Sequence, residues 1–487
     1  MRRLVLPTIS GVLYFLSWIG FGIWPLAFVC FIPLLWSLKD ATPRQALKLG
    51  AWMGFVTQLG GFTWIVHVLQ VFAFAPLPLA FLGYLALCAA QGFLFGVFAL
   101  VLRWASLRRG WRMAALLPIA LVAVEFAYPL LFQSYTGVAL MPLLPMVQIA
   151  DLGGPLLLTA LQAIVNGALF DSLLALREKR PAPAWALAAS LLSLTASGAY
   201  GFWRMVRTDE AQRAAPQLRI GIAQPNVGEI ELHSNPFLSV RTLWGQTAEL
   251  HGRSADLVVW PEVGFNLRPI KLGEDGRSIQ GGIPVALIAG VERVSGSDAW
   301  NSAIVIDPQG SIGDHYDKIQ LLAFGEYIPG GEWFPQIYKW SPLASHLTRG
   351  TSVAPLRYGR WKFATFICYE DILPGIVRRI MRGGAQVMVN LTNDSWYGAG
   401  HEQEQHLILA AVRSIEHRRW LVRATSTGIS AFVDATGRVV QRIGRNQPGI
   451  AIREVPMMEG STPYELLGDW PGWLSLALLA TFVRPRR

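Results

Sequence analysis

From Leu4 to about Trp203 the chain is a succession of long apolar runs, a pattern that one water-solvated core cannot absorb. The runs cover about 4–19, 22–37, 50–73, 79–102, 113–132, 156–176 and 184–203, each near the ~20 residues a helix needs to cross a bilayer. The first two are short and meet at the turn from Gly20 to Pro25, so they are predicted to form one helical hairpin. No small-residue cleavage site follows the first run, which argues against a cleaved leader. An eighth run, about 467–483, ends just before Arg484-Pro485-Arg486-Arg487. Composition agrees: 52% of residues are hydrophobic and 15% charged, against roughly a quarter charged in soluble domains. The 19 Trp and 24 Phe suit membrane interfaces. Disorder and collagen-like repeats are excluded, and three cysteines make no disulfide scaffold.

The net charge of +10 could signal nucleic acid, so its placement decides. Lys and Arg collect at Arg2-Arg3, from Lys39 to Lys48, from Arg103 to Arg112, from Arg177 to Arg180 and at the C-terminal arginines. Those are alternate loops and both ends, whereas 74–78 and 133–155 hold neither residue. The positive-inside rule then predicts eight crossings with both termini cytoplasmic. The expected layout is residues 1–203 as transmembrane helices 1–7, 204–466 as an extracytoplasmic domain, and 467–487 as helix 8 with a basic tail. No nucleic acid is needed.

The outer segment alternates short apolar strands with helical stretches, as layered α/β domains do. Strands are predicted at Leu218–Ala223, Leu257–Trp260, Val285–Ala289, Ala303–Asp307, Phe363–Cys368, Val387–Leu391, Leu421–Ala424 and Ile429–Asp434. Helices are predicted near 236–252, 372–383 and 402–418. Asp307-Pro308-Gln309-Gly310 and Asp434-Ala435-Thr436-Gly437 have hairpin-turn chemistry.

Cys30 and Cys88 sit in apolar runs and read as small buried hydrophobes. Cys368 instead ends a strand and precedes Tyr369-Glu370-Asp371 and a helical pattern. A strand-to-helix turn exposes a nucleophile and aims N–H groups at it, so a lowered thiol pKa is expected. A lone cysteine is more often a buried structural residue. A free thiol in an oxidising exterior, however, invites damage unless it has a use. Glu262, in Trp260-Pro261-Glu262, places a carboxylate at another strand end; alone it would be an ordinary acid at a helix start. Lys318, in Tyr316-Asp317-Lys318, follows a strand and precedes Leu321 to Pro329; alone it would be a solvated lysine.

Together these islands resemble the nitrilase superfamily, from Leu218-Arg-Ile-Gly-Ile-Ala-Gln224 through Asn393-Asp394-Ser395-Trp396 and the run Arg413 to Gly428 as far as Gly437. With the membrane runs, Phe324-Gly325-Glu326-Tyr327-Ile328-Pro329, Cys368-Tyr369-Glu370 and Asp151-Leu-Gly-Gly-Pro155, the chain resembles the superfamily's membrane-bound branch, the bacterial apolipoprotein N-acyltransferases. The resemblance implies a polytopic α-helical membrane bundle of about eight helices carrying an extracytoplasmic α/β, nitrilase-like αββα sandwich. It implies Glu262 as general base, Lys318 as oxyanion and proton-transfer partner, and Cys368 as acyl carrier. Glu326 and Glu370 would support that triad, and Tyr369 and Trp396 would lie near the acyl pocket. The implied reaction moves a fatty acyl chain from a phospholipid donor, through a Cys368 thioester, to the α-amine of a diacylated apolipoprotein acceptor. The implied setting is the bacterial inner membrane, with the catalytic domain on its periplasmic side. No cofactor and no metal are implied. Where the superfamily can carry an aromatic residue after the first strand, this chain reads Glu229-Ile-Glu-Leu-His233.

An apolar loop runs from Trp333 to Leu343 beside Gly330-Gly331, and Trp333, Phe334 and Trp340 are expected to dip into the outer leaflet and gate the acyl chains. His401-Glu402-Gln403-Glu404-Gln405-His406 spaces its histidines five apart, about 140° around a helix, so it reads as a solvated helix start rather than a metal motif. Two other readings compete. A membrane-tethered nitrilase-type amidase would act on a small amide. A transporter would pair ionisable residues inside the bundle, where only scattered ones such as His67 and Glu125 occur.

Overall fold

Glycines show how the helices of the N-terminal half approach one another. A side chain on Gly54 would lie 2.0 Å from the Gly92 carbonyl oxygen, and one on Gly50 would lie 2.2 Å from that of Phe95. Pro43–Gly61 and Leu77–Arg109 therefore cross backbone to backbone, the small-residue packing that membrane helices use when lipid offers no hydrophobic drive. The computed structural model describes residues 2–72, 75–323, 325–328, 330–331, 333–334, 336, 347–398 and 400–482. The chain divides into two compact units. The first takes Met1–Val66, Pro78–Arg207 and Thr462–Arg487; the second takes His67–Leu77 and Thr208–Ser461.

In the first unit every apolar run forms helix, with boundaries set by local chemistry. The hairpin breaks at Gly20 and Gly22, whose φ of +94° and +78° stops the helix Val5–Ser17 from continuing. The next run is a 3₁₀ turn, Trp24–Phe28, followed by Ile32–Leu38. The run expected over 50–73 is split after Gly61 and resumes as Ile65–Phe72. Ala150–Arg177 is kinked where Gly154 has a φ of +67° and Pro155 follows. Ala184–Ala214 continues well beyond residue 203. Among the described residues two helices, Leu77–Arg109 and Ala150–Arg177, are long and apolar enough to cross a membrane, while Val5–Ser17 and Met113–Ala127 are shorter apolar helices.

The acids of this unit do structural duty. Glu125 accepts from the Thr136 N–H at 2.9 Å, the Thr159 hydroxyl at 2.7 Å and the Thr136 hydroxyl. Asp171 accepts from the N–H groups of Met113 and Ala114, both at 3.0 Å, and so caps the helix Met113–Ala127. Asp151 accepts from Tyr200 at 2.8 Å and from Arg204 at 2.7 Å. Each closes orphan backbone or side-chain donors that lipid cannot satisfy.

The second unit is two sheets with helices on their outer faces. Its strands are β1 (Gln217–Gln224), β2 (Leu257–Val259), β3 (Phe265–Ile270), β4 (Ala286–Ser295), β5 (Asp298–Ile306), β6 (Ile312–Asp317), β7 (Leu356–Tyr358), β8 (Trp361–Ile367), β9 (Val387–Thr392), β10 (Leu421–Thr425), β11 (Ser430–Val433), β12 (Val439–Ile443) and β13 (Gly449–Pro456). One sheet runs β13-β1-β2-β4-β5-β6 with β3 beside β4; the other runs β12-β11-β10-β9-β8-β7. The centres, β1-β2-β4 and β8-β9-β10, are parallel and almost wholly buried, hence their predominantly apolar sequences. Pro236–Gly252 covers the first sheet, while Pro374–Met381 and Glu402–His417 cover the second. This is an αββα sandwich. The Glu229–His233 stretch forms a short helix, Glu229–Ser234. Asp307 and Asp434 each turn a hairpin, accepting from backbone N–H groups two residues on at 2.9 and 2.8 Å.

Candidate active site

The site gathers at strand ends, where backbone turns free side chains to point along the sheets. Glu262 lies three residues beyond β2. Its turn presses against β4 so closely that a side chain on Gly290 would sit 2.3 Å from the Pro261 carbonyl oxygen. Glu262 is buried, and its Oε1 accepts from Lys318 Nζ at 3.0 Å and from Asn301 Nδ2 at 2.7 Å. Its Oε2 accepts from the Asn393 N–H at 2.9 Å. Lys318 directly follows β6, is 2% exposed, and donates also to Glu326 Oε1 at 3.0 Å. Glu326 is held in turn by the Leu322 N–H at 2.8 Å and by Asn301 at 2.9 Å.

Cys368 follows β8 with a φ of +54°, a left-handed backbone that costs a non-glycine residue about 1–2 kcal/mol. The cost is met by a dense set of bonds. Glu370 accepts from the N–H groups of Ile319, Gln320 and Ile367 at 2.7, 2.9 and 2.9 Å and from the Tyr316 hydroxyl at 2.9 Å. It thereby ties the cysteine turn to the segment just after Lys318. The Tyr369 hydroxyl donates to the Leu321 carbonyl at 3.1 Å, and Lys318 Nζ stands 6.0 Å from the centre of its ring.

The electrostatics overturn one expectation. The thiol was expected to be acidified by its turn, but Cys368 is 5% exposed, and burial followed by the charge of Glu262 pushes it well above 9.0 despite Lys318. Burial also raises Glu262, with Lys318 pulling it back and Glu326 adding to the rise. Burial opposes charge on Lys318, yet Glu262 and Glu326 outweigh it and keep the ammonium protonated well above 10.5. The buried thiol is thus held protonated, and a reaction at its sulfur would need its proton taken up as it proceeds.

Of the other sequence candidates, Trp396 is half-buried in the turn Ser395–Tyr397 that follows β9. Trp333 and Phe334 are 81% and 62% exposed, and Trp340 lies outside the described residues. The reading of 401–406 as a solvated helix start is wrong beyond His401, since Glu402, Gln403, Gln405 and His406 are all buried. His406 is 3% exposed because that face of Glu402–His417 packs on the second sheet, where Nε2 is 2.8 Å from Asp371 and Nδ1 is 3.3 Å from Asp394. Burial and Arg423 disfavour its charge, but Asp371 and Asp394 prevail and lift it to about 10. Asp394, Glu402 and His406 could each offer one ligand atom to an ion, all within 4.8 Å of one another. Of these three, Asp394 already pairs with the Arg423 guanidinium at 3.1 Å, which also bonds Asp371 at 2.7 Å.

Sequence reasoning missed Asn301, Asn390, Arg423 and His406. The signal was present for Asn390 and Arg423, each a polar residue in a strand with every residue buried, and weaker for Asn301, which opens the buried half of β5.

The carbon-nitrogen hydrolase pattern matches residues 219–463, and the apolipoprotein N-acyltransferase N-terminal domain pattern matches 10–168. An apolipoprotein N-acyltransferase of Azotobacter vinelandii is 31% identical, covering 99% of this chain and 95% of its own. One from Geobacter metallireducens is 28% identical over 98% of this chain and 94% of its own. Among solved structures, an amidase from Nesterenkonia sp. aligns with a TM-score of 0.39 at 21% identity, covering 50% of this chain and 91% of its own. By the two patterns and the full-length similarity together, the chain belongs to the apolipoprotein N-acyltransferase family.

Proposed function

We propose that this protein moves a fatty acyl chain from a membrane phospholipid to the α-amine of an S-diacylglyceryl cysteine at a lipoprotein N-terminus, with Cys368 as the carrier. The observation behind this reading is the buried Lys318 ammonium, 3.0 Å from both Glu262 and Glu326, beside a cysteine held in a left-handed turn. In the first step Glu262 takes the thiol proton as sulfur attacks the ester carbonyl, and the charge on oxygen faces Lys318 and a backbone N–H. The ester C–O bond breaks, and the proton on Glu262 passes to the departing lysophospholipid. The thioester keeps the acyl group activated. In the second step the amine attacks, Glu262 takes its proton, the C–S bond breaks and the proton returns to sulfur. An α-amine has a pKa of about 7.7–8.0, so the charged fraction must first release one proton to water, and the neutral amine is the species that attacks. Glu326 and Glu370 hold the lysine and the cysteine turn, while Tyr369 and Trp396 line the acyl pocket. The exposed Trp333 and Phe334 meet acyl chains at the membrane surface. No cofactor or metal has a part in these steps.

Labelled transfer from phospholipid to a diacylated lipopeptide tests the reading. Cys368→Ser is expected to lower it by on the order of 10²-fold or more, because a hydroxyl ionises far less readily than a thiol. Turnover of small amides with no lipid transfer would instead favour a tethered amidase.

The setting we propose is the bacterial inner membrane, crossed eight times by residues 1–203 and 467–487, with both termini cytoplasmic and 204–466 periplasmic. The alternating Lys and Arg loops support it. In a Cys368→Ala background, a cysteine introduced at Ser297 should react with an impermeant thiol reagent in intact spheroplasts, whereas one at Ala41 should not. The opposite labelling pattern would invert the topology and remove the lipoprotein substrate from reach.

A further inference from the structure

The carbonyl of Cys368 accepts from Asn390 Nδ2 at 3.0 Å, in the middle of β9. The other end of that amide receives two donors. Arg423 Nη1 reaches Oδ1 at 2.8 Å, and the Thr392 hydroxyl reaches it at 2.7 Å. A guanidinium can only donate, so the amide cannot flip without setting its NH₂ against another donor. Arg423 therefore dictates which end of Asn390 faces the cysteine. Both residues are fully buried, which keeps water from substituting for either. A trans peptide holds its C=O and N–H in one plane, pointing in opposite directions. Fixing the Cys368 carbonyl on the Asn390 side therefore aims the Tyr369 N–H the other way.

The same guanidinium also spans two turns. It bonds Asp371, in the turn of Cys368, at 2.7 Å and Asp394 at 3.1 Å. His406 bridges the same two carboxylates at 2.8 and 3.3 Å. Asp394 directly follows Asn393, whose N–H holds Glu262 at 2.9 Å. The turn of Cys368 and the turn whose N–H holds Glu262 are thus pinned to one buried cation.

We propose that Arg423 and Asn390 are positioning residues for acyl transfer: the guanidinium orients the Asn390 amide, the amide fixes the Cys368 carbonyl, and the Tyr369 N–H is thereby aimed at the oxyanion. This rests on the Cys368 thioester reading. It predicts a split between two reactions of one thiol. Acyl transfer builds charge on oxygen and needs the aimed N–H; alkylation by iodoacetamide builds none and does not.

The test uses the full-length protein in phospholipid–detergent micelles, with Cys30→Ala and Cys88→Ala so that only Cys368 reacts. Asn390→Asp keeps the shape and the acceptor for Arg423 but removes the donor to the Cys368 carbonyl. It is expected to lower kcat for lipopeptide acylation by on the order of 10²-fold, the effect of losing an oxyanion donor. The KM for phospholipid and the rate of iodoacetamide alkylation should each change by less than about threefold on the same grounds. Arg423→Lys, still a donor-only cation, should retain more kcat than Arg423→Met. An unchanged kcat in Asn390→Asp overturns the proposal, and so does a parallel fall in kcat and alkylation, which would mean general loss of the site. Should the Arg423 variants fail to fold, Asn390→Asp decides alone. Absence of an acyl-Cys368 adduct in the parent protein would instead defeat the thioester reading beneath it.

Discussion

Glu262→Gln is expected to lower acyl transfer by about 10³-fold or more, near the upper range for removing a general base. The expectation follows from the thiol. Burial and Glu262 itself keep Cys368 protonated well above 9.0, so no pool of thiolate waits at neutral pH. The base must take the proton during attack. Glutamine has the same shape, but its NH₂ would face either Lys318 or the Asn393 N–H, both donors to the native carboxylate. One of those bonds is lost and no proton acceptor remains. The pH profile should move as well. Burial raises Glu262 above 4.5, so wild-type kcat should fall as pH drops through that raised value. The residual rate of Glu262→Gln should lack this acid limb. A variant that keeps both the limb and more than a tenth of the rate would assign the base elsewhere.

Lys318→Met is expected to give the largest loss of stability. The side chain is 2% exposed and is the cation between Glu262 and Glu326. Without it the buried Glu262 and the partly buried Glu326 carboxylates share the Asn301 amide, and an uncompensated buried charge costs about 3–5 kcal/mol. At roughly 2–4 °C per kcal/mol for a unit of this size, Tm should fall by about 6–20 °C. Two features separate this from simple loss of packing. The deficit should shrink as pH falls, because one carboxylate can then take up a proton. Lys318→Met with Glu326→Gln should be more stable than Lys318→Met alone, since one of the opposed charges is gone. Tryptophan fluorescence melts of the three proteins, wild type included, at two pH values decide it. Equal melting of single and double variants would show that the lysine is not compensating charge.

The parts of this fold legible in sequence are those buried on both faces. β1, β2, β4, β8, β9 and β10 carry apolar runs, broken in β9 by Asn390 and in β10 by Arg423, because helices and the opposite sheet cover them. β3, β7, β12 and β13 are half-exposed, and residues such as Arg268, Arg357, Arg442 and Arg453 break their pattern. The end of Ala184–Ala214 was hidden for a related reason. Apolarity stops near Trp203, but Arg204 to Arg213 is as compatible with helix as the run before it.

The site divides the same way. Glu262, Lys318 and Cys368 stand at strand ends, and strand ends can be read. Their spacings of 56 and 50 residues carried no distance; the crossing of two sheets supplies it. Arg423 shows what pattern reading discards. In Leu421-Val-Arg-Ala-Thr425 a charge lies in a strand with every residue buried, a conflict that only a partner can resolve. Its partners Asp371, Asp394 and Asn390 come from three other places in the chain. His406 was misread because its spacing to His401 was weighed and its face of the helix was not.

The central claim is that the acyl group rests on one sulfur. The direct measurement is peptide mass spectrometry of the full-length protein after incubation with a phospholipid of defined acyl chain and no acceptor. The account predicts one fatty-acyl adduct, on the peptide containing Cys368, removed by neutral hydroxylamine and consumed when a diacylated lipopeptide is added. Lipopeptide acylation with no such adduct, or an adduct that persists in Cys368→Ala, would contradict it.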